Sequence, residues 1–318
     1  MPNIDDILKL FGKNDFWKEQ GDEWSDPWGS SYMQWIGVIQ PRIHAFVPTK
    51  TILEIAPGFG RWTQYLRNLC NSLIAVDIAE NCIEYCRKRF AGQADIHFFV
   101  NDGKTLNMAT DNSVDFIFSF DSLVHVEMDV LDSYIKEFSR ILNQNGVAFI
   151  HHSNLGSYQR EVEEQALDPN WRGTSVTYEK VFKSCEKNNL RCITQEIVNW
   201  GNSPEYLIDC FSLVCRKSAY PNHPYKLYQN GGFNIEQAAL RRIYQNYSND
   251  FNWGDQTPRN VKIDLNAICA MASCREKEQY KEIIQDKDKL INDLLRSRSW
   301  KLTAPLRAIF RLLRGLRW

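Results

Sequence analysis

The stretch "TILEIAPGFGRWT", residues 51–63, has the make-up of a ligand-binding turn. A short apolar run leads into Gly58 and Gly60, which let the backbone approach a ligand closely. A helix that starts after such a turn offers its positive N-terminus to the ligand. A dinucleotide-binding turn asks for the pattern G-x-G-x-x-G. Here Ala56 takes the first glycine position and Thr63 the last, so the turn disfavours NAD.

Three carboxylates surround this turn. Glu54 lies within the end of the first predicted strand, where its negative charge would repel a phosphate group of a ligand. Asp77 ends the second strand, the usual position of an acid that binds ribose hydroxyls. Asp102 follows the third strand, placed to accept a hydrogen bond from an adenine amino group. A positively charged adenosine derivative without phosphates fits these acids, and S-adenosylmethionine is such a ligand.

The elements that must position these residues alternate between short apolar runs and amphipathic segments. Predicted strands begin near residues 51, 72, 96, 114 and 146, with helices between most of them. This alternation predicts an α/β, Rossmann-like, mostly parallel sheet with helices on both faces. Two further strands, "RCITQEIVNW" and "IDCFSLVCRK", close the sheet, one of them antiparallel. The core is therefore expected to span residues 49–217.

A family resemblance rests on several motifs in order: "LEIAPGFGRWT", "AVDIAENCIEYC", "FVNDGKTL", "VDFIFSFDSLVHVE" and "GVAFIHHSN". Together they resemble the class I S-adenosylmethionine-dependent methyltransferases, above all bacterial members found beside glycosyltransferases in polysaccharide biosynthesis. The resemblance covers roughly residues 20–217, and the alanine at the first glycine position is a departure that we expect to be sterically mild. It implies cofactor contacts to the methionine part, the ribose and the adenine from Glu54, Ala56, Gly58, Gly60, Asp77 and Asp102.

The segments after the fourth and fifth strands carry groups suited to an acceptor. A sugar hydroxyl is a poor nucleophile, so transfer to it favours a histidine base oriented by a carboxylate. We expect His152 or His125 to be the base and Asp121 the orienting group. Strand alternation sends His151 and His152 to opposite sides, so at most one of them faces the pocket. A bond to loop backbone is an equally open role for each histidine.

Aromatic and amide side chains complete the predicted acceptor pocket. Residues 1–48 form a helical, aromatic lid or cap, in which Trp24 or Trp28 could stack on a sugar. Packing of these indoles in the core is the open alternative. Asn154 and Trp200, at later strand ends, are expected to bind the substrate, with the same open alternative of a structural role.

A divalent metal is an alternative that the sequence does not favour. Asp121, one of His151 and His152, and Asp209 could converge on such an ion. These residues are dispersed and contain no i,i+4 pair, so we assign no metal ligands.

The remaining chain divides into a linker over 218–262, a helical stretch over 263–296 and a basic tail over 297–318. The helical stretch has an imperfect coiled-coil seam and could form a homo-oligomer; packing of one amphipathic helix on the body is equally open. The tail places its arginines opposite an apolar face, which argues against nucleic acid. We expect it to bind the inner-membrane surface or a glycosyltransferase partner.

Composition predicts a cytoplasmic protein, peripheral on the cytoplasmic face of the membrane. The nine cysteines contain no CxxC pair, which disfavours a disulfide framework and a zinc site. No signal peptide and no apolar run of spanning length is present in the printed sequence. The expected function is O-methylation of a sugar hydroxyl in a bacterial, O-antigen-like surface polysaccharide or its lipid-linked precursor. Alternatives are a small soluble or amino-sugar acceptor, and a non-catalytic scaffold of glycosyltransferases.

Overall fold

The computed structural model of this chain describes residues 6, 8, 9, 17, 18, 20–169, 171–201 and 205–248. It contains one sheet, whose strands are Thr49–Ile55 (β1), Cys70–Asp77 (β2), Ile96–Val100 (β3), Val114–Ser119 (β4), Leu142–Ser153 (β5), Leu190–Val198 (β6), Asp209–Arg216 (β7) and Lys226–Asn230 (β8). Their spatial order is β3-β2-β1-β4-β5-β7-β6-β8. Strands β1 to β5 pair in parallel, and β7 is antiparallel to both neighbours. The predicted Rossmann-like class I sheet is confirmed.

The segment before β1 is helical and packs its aromatic side chains inward. It comprises the 3-10 helix Asp22–Trp28, α1 (Ser31–Gln34), the π-helix Trp35–Ile39 and α2 (Gln40–Ile43). The Ser30 hydroxyl accepts from the Met33 amide and caps α1. Trp35 is buried, and its ring centre lies 6.4 Å from the ring centre of Phe118 on β4.

The remaining helices follow the strands as the alternating pattern predicts. They are α3 (Thr63–Leu66), α4 (Glu80–Arg89), α5 (Met128–Ile141), α6 (Gln159–Glu163), α7 (Tyr178–Lys187) and α8 (Phe233–Ser248), joined by short 3-10 turns. Among the described residues, no helix combines the length and the apolar character needed to cross a bilayer.

Strand alternation gives the two faces of the sheet different cores. Ile117 joins an aliphatic cluster with Leu53 of β1 and with Phe138 of α5. The flanking Phe118 points the other way, 6.0 Å from the Phe149 ring, and builds an aromatic layer toward the N-terminal segment. The cavity described below opens beyond the ends of these strands.

The region after residue 217 differs from the predicted linker. Strand β8 pairs in parallel with β6 at the edge of the sheet, and α8 buries Phe233. The sequence of β8, "KLYQN", is polar and mostly exposed, so it lacks the apolar alternation that reveals a strand. The rest of the predicted linker, the coiled-coil stretch 263–296 and the tail 297–318 lie outside the described residues.

A partly buried ion pair connects the N-terminal segment to the far half of the sheet. Arg42 of α2 donates from Nε and Nη2 to the two carboxylate oxygens of Glu196 on β6, at 2.7 and 2.6 Å. The Glu196 Oε1 atom also accepts from Asn230 at the end of β8, at 2.9 Å. The Arg42 guanidinium lies 5.0 Å from the centre of the Phe211 ring. One side chain thus ties together α2, β6, β7 and β8.

Arg42→Ala is expected to destabilise the fold by about 2 kcal/mol, because it removes two charged hydrogen bonds from a partly buried carboxylate and leaves it only the bond from Asn230. The matched control is Arg160→Ala, whose pair with Glu164 is exposed, at 82% and 57% side-chain accessibility. The control should cost about 0.5 kcal/mol or less. Denaturant unfolding of the two variants measures the difference, and equal losses would contradict the role given to Arg42.

Candidate active site

A cavity of about 810 Å³ opens at the carboxyl ends of β1, β2 and β4. This is the edge at which open α/β sheets bind ligands, and the volume suits a cofactor together with part of an acceptor. Its other walls come from the N-terminal segment, the loop before α7, the end of β6 and helix α8. The lining residues used below are Trp17, Trp24, Trp28, Ala56, Gly58, Arg61, Trp62, Asp77, Asn101, Asp121, His125, Tyr134, Trp171, Arg172, Trp200, Gln237, Arg241, Arg242 and Gln245.

The turn after β1 reverses direction through left-handed backbone conformations. Ala56 has φ 58°, Gly58 φ 57° and Gly60 φ 90°. A Cβ at Gly58 would lie 2.5 Å from Cη2 of Trp17, so the indole covers this glycine closely. Gly60 does not line the cavity; a Cβ there would lie 2.6 Å from the Phe90 ring, so this glycine serves packing behind the turn. The left-handed conformation of Ala56 costs roughly 1 kcal/mol. This corrects the expectation that an alanine at the first glycine position causes little steric strain.

Asp77 occupies the predicted position at the end of β2. Its Oδ2 accepts from the Gly58 amide at 3.1 Å and its Oδ1 from the Ala79 amide at 2.9 Å. Burial raises the pKa of Asp77 to about 6, although the backbone amides oppose this. Each carboxylate oxygen retains a lone pair, so the group is able to accept hydrogen bonds from ribose hydroxyls as well.

Asp102 takes a different position from the predicted one. It is exposed, does not line the cavity, and its Oδ1 accepts from the amides of Lys104 at 2.9 Å and Thr105 at 2.7 Å. Its neighbour Asn101 does line the cavity and donates from Nδ2 to the Tyr134 hydroxyl at 3.0 Å. The buried Asn101 Oδ1 has no hydrogen-bond partner within the described part of the chain. An N–H donor such as an adenine amino group would satisfy it.

Glu54 lies behind the turn rather than at the cavity. The side chain is buried, and its Oε2 accepts from the Thr63 hydroxyl at 2.7 Å. Burial raises the pKa of Glu54 to about 8, so the carboxyl is protonated at neutral pH. Its role in the structure is to hold the start of α3, and a direct contact with the methionine part of a cofactor is not supported.

The structure contradicts the assignment of His152 as the base. The ring is fully buried; Nδ1 donates to the Ser153 carbonyl at 2.8 Å and Nε2 accepts from the Ser212 hydroxyl at 2.8 Å. Burial also lowers the pKa of His152 to about 4. Asn154 is likewise structural, since its Oδ1 accepts from the Tyr178 amide at 2.9 Å and neither residue lines the cavity.

His125 lies at the cavity, on the 3-10 turn Leu123–His125. Its Nδ1 is 3.0 Å from the Trp171 carbonyl oxygen, which can only accept, so Nδ1 carries the proton. The lone pair of the neutral ring is therefore on Nε2. Burial lowers the pKa of His125, which keeps the imidazole neutral near pH 7.

A buried chain of charges underlies the acceptor end of the cavity. His151 Nδ1 accepts from the Asp121 amide at 3.2 Å, and its Nε2 donates to Asp209 Oδ2 at 3.2 Å. Arg172 donates to both oxygens of Asp209, at 2.6 and 2.8 Å. Burial alone would raise the pKa of Asp209, but the charge of Arg172 holds it well below its usual range.

Asp121 is paired with Arg61, whose Nη2 lies 2.8 Å from Oδ2. Of the set considered for a metal, His151 contacts the Asp209 carboxylate but only the backbone amide of Asp121, and each carboxylate is paired with an arginine. Within the described ranges, no group of three metal-ligating side chains is arranged to hold an ion. Asp121 contacts His151 through its backbone amide, and the structure does not show its carboxylate orienting His125.

Indoles form much of the remaining wall. Trp28 is almost fully buried and packs 4.9 Å from Trp200, so it supports the wall rather than presenting a face to a ligand. Trp24 and Trp171 are 43% and 52% exposed and line the cavity. Sequence reasoning named Trp24, Trp28 and Trp200 but missed Trp171, together with Arg61, Asn101, Arg172 and helix α8.

Glu54→Gln tests the buried carboxyl. The folded-state pKa of about 8 lies above the ordinary value of 4.5, so between these values the folded state holds an extra proton. This group therefore costs stability as the pH rises through that window, by up to about 1.4 kcal/mol per pH unit. Denaturant unfolding at about pH 5 and about pH 8 should show a smaller loss for the variant than for the wild type. The control is Glu164→Gln, at an exposed carboxylate. Equal losses of stability in the wild type and both variants would contradict the raised pKa of Glu54.

Comparison with known proteins places this site in a methyltransferase domain. Residues 52–146 match the family model of a methyltransferase domain. The phosphoethanolamine N-methyltransferases 1 of Zea mays and 3 of Arabidopsis thaliana are 26% and 27% identical over 154 residues, 47% of this chain in each case. The chain spans only 30% and 31% of the length of these relatives.

Two solved structures show similarity to this chain. An S-adenosylmethionine-dependent methyltransferase from Clostridium acetobutylicum aligns with 58% of this chain and 92% of its own, at 16% identity and a TM-score of 0.46. The N-methyltransferase NodS from Bradyrhizobium japonicum, solved with S-adenosyl-L-homocysteine, aligns with 67% and 97%, at 15% identity and a TM-score of 0.46. The matched residues 52–146, the sheet order and the Asp77 turn agree: this chain carries a class I S-adenosylmethionine-dependent methyltransferase domain.

Proposed function

We propose that this protein is an O-methyltransferase that acts on a sugar hydroxyl of a bacterial surface polysaccharide or its lipid-linked precursor. The observation that carries the proposal is a single cavity that joins a cofactor end, at Asp77 and Asn101, to an acceptor end, at His125 and exposed indoles. The relatives are matched over part of their length only, so the acceptor rests on the chemistry of the cavity.

The cofactor end fits S-adenosylmethionine. Asp77 can accept from the ribose hydroxyls, and the orphaned Oδ1 of Asn101 can accept from the adenine amino group. The close packing of Trp17 over Gly58 covers the turn and excludes water. When bound, S-adenosylmethionine supplies a methyl group on a sulfonium sulfur.

At the acceptor end, His125 is placed to take the proton of a hydroxyl. The bound cofactor would supply the methyl group to the acceptor oxygen, and Nε2 of His125 would take the proton that this oxygen loses. The Trp171 carbonyl fixes the tautomer that this transfer requires. The exposed faces of Trp24 and Trp171 offer stacking surfaces for a sugar ring.

An amino-sugar or other amine acceptor is the second candidate. It is favoured by the relatives named phosphoethanolamine N-methyltransferases and by the NodS neighbour, named as an N-methyltransferase. The proposal includes attachment through residues 297–318 to the cytoplasmic face of the membrane or to a glycosyltransferase, and self-association through residues 263–296. A non-catalytic scaffold is the rival to this proposal.

Asp77→Asn is expected to weaken S-adenosylmethionine binding about tenfold or more, because it removes a charged acceptor for the ribose hydroxyls. Calorimetric titration of the full chain measures this. Asp102→Asn is the matched control, since this carboxylate caps an exposed turn. If Asp102→Asn lost S-adenosylmethionine binding while Asp77→Asn retained it, the assignment of Asp77 as the cofactor-binding carboxylate would be wrong.

His125→Gln is expected to lower methyl transfer to a hydroxyl about 100-fold or more, the contribution of a general base. Transfer of radiolabelled methyl groups to a polysaccharide fraction of the source cells provides the assay. His44→Gln is the control, because His44 is an exposed histidine that bonds only a local carbonyl in the described structure. Cofactor affinity should not change. Activity within a factor of about two of wild type would remove His125 as the base.

A further inference from the structure

Helix α8 contributes a wall of the cavity that the cofactor and the proposed base do not use. Gln237, Arg241 and Gln245 recur at intervals of four residues and line the cavity, as does Arg242. Four-residue spacing places side chains on one face of a helix. Arg241 belongs to this face, and Arg242, the next residue along the helix, also lines the cavity, so both arginines contribute to this wall.

These two arginines differ from the other arginines of the cavity in their pairing. Arg61 is paired with Asp121 and Arg172 with Asp209, each at less than 3 Å. In the residues that the structure describes, no carboxylate lies within 4.0 Å of Arg241 or Arg242. The acid of the first turn of α8, Glu236, instead lies 3.8 Å from Arg42. The α8 wall thus presents two positive charges to the cavity.

The helix that carries them is fixed by close packing. A Cβ on Gly29 would lie 2.6 Å from Cβ of Tyr244, and a Cβ on Gly37 would lie 2.6 Å from Cδ1 of Leu240. The two glycines therefore let α8 lie directly on the N-terminal segment. This packing fixes the helix backbone that carries Arg241 and Arg242 beside the cavity.

We propose that Arg241 and Arg242 form a phosphate-binding subsite for the acceptor, which is thus a sugar joined to a phosphate or diphosphate. The inference rests on the proposed function for the identity of the acceptor as a sugar. The anionic group of S-adenosylmethionine is one carboxylate, so a doubly charged anion must belong to the other substrate. Two planar guanidinium forks match the oxygens and the double charge of such a group, whereas a single carboxylate would leave one charge unbalanced.

The diphosphate of a nucleotide-linked sugar and that of a lipid-linked sugar present the same chemistry to these side chains. Uridine diphosphate and farnesyl diphosphate, each compared with inorganic pyrophosphate, separate the two sources. Tighter binding of the first indicates a soluble nucleotide sugar, and tighter binding of the second a lipid carrier. Either preference supports the subsite, provided that it requires the arginines.

The test titrates inorganic pyrophosphate into the full chain with S-adenosyl-L-homocysteine present, by calorimetry. Arg241→Gln and Arg242→Gln should each weaken binding about tenfold, and the double variant more. Arg160→Gln, which removes one charge from an exposed site outside the cavity, should leave the affinity unchanged. Equal affinity in the wild type and the double variant would overturn the subsite.

A parallel titration with S-adenosyl-L-homocysteine alone separates this inference from the proposed function. Binding of S-adenosyl-L-homocysteine without arginine-dependent pyrophosphate binding would overturn the subsite and leave the methyltransferase assignment standing. Arginine-dependent pyrophosphate binding without binding of S-adenosyl-L-homocysteine would support the subsite and overturn the methyltransferase assignment. Failure of both ligands would overturn both.

Discussion

The site depends on one carboxylate, Asp77, held between two backbone amides. Strands β1 and β2 run parallel with Ile55 opposite Val76, so the end of β2 reaches the turn after β1. Asp77 then accepts from Gly58 on that turn and from Ala79 before α4. These bonds stabilise a left-handed turn that would otherwise be costly, and they place a buried negative charge at the cavity. A cationic ligand with ribose hydroxyls compensates that charge.

The acceptor end follows a different electrostatic principle. Asp209 is buried and Asp121 partly buried, each is paired with an arginine, and His151 hydrogen-bonds the Asp121 amide and the Asp209 carboxylate. Removal of either arginine would leave an uncompensated charge, so the network is structural rather than a place for a metal. It leaves a locally balanced surface beneath the cavity, on which the neutral His125 and the positive wall of α8 set the chemistry.

Local patterns located Asp77 and the Gly58 turn at the cavity, whereas Glu54, Gly60 and Asp102 lie away from it, and the acceptor end was predicted poorly. Asp77 could be assigned because it directly ends an apolar strand, but the choice between Asp102 and Asn101 turned on one residue of loop geometry. Alternation separated His151 from His152 without saying which side was the cavity, and neither lines it. Arg172 and α8 reach the site from distant segments, and the polar edge strand β8 that precedes α8 gives no periodic signal.

The central claim is that the turn after β1 binds S-adenosylmethionine and not a dinucleotide. Calorimetric titration of the full chain with S-adenosylmethionine and, separately, with NAD tests it most directly. The full chain is needed because α8 follows residue 217 and lines the cavity. The account predicts micromolar binding of S-adenosylmethionine, with one site per chain, and no binding of NAD. Binding of NAD alone, or of neither ligand, would contradict it.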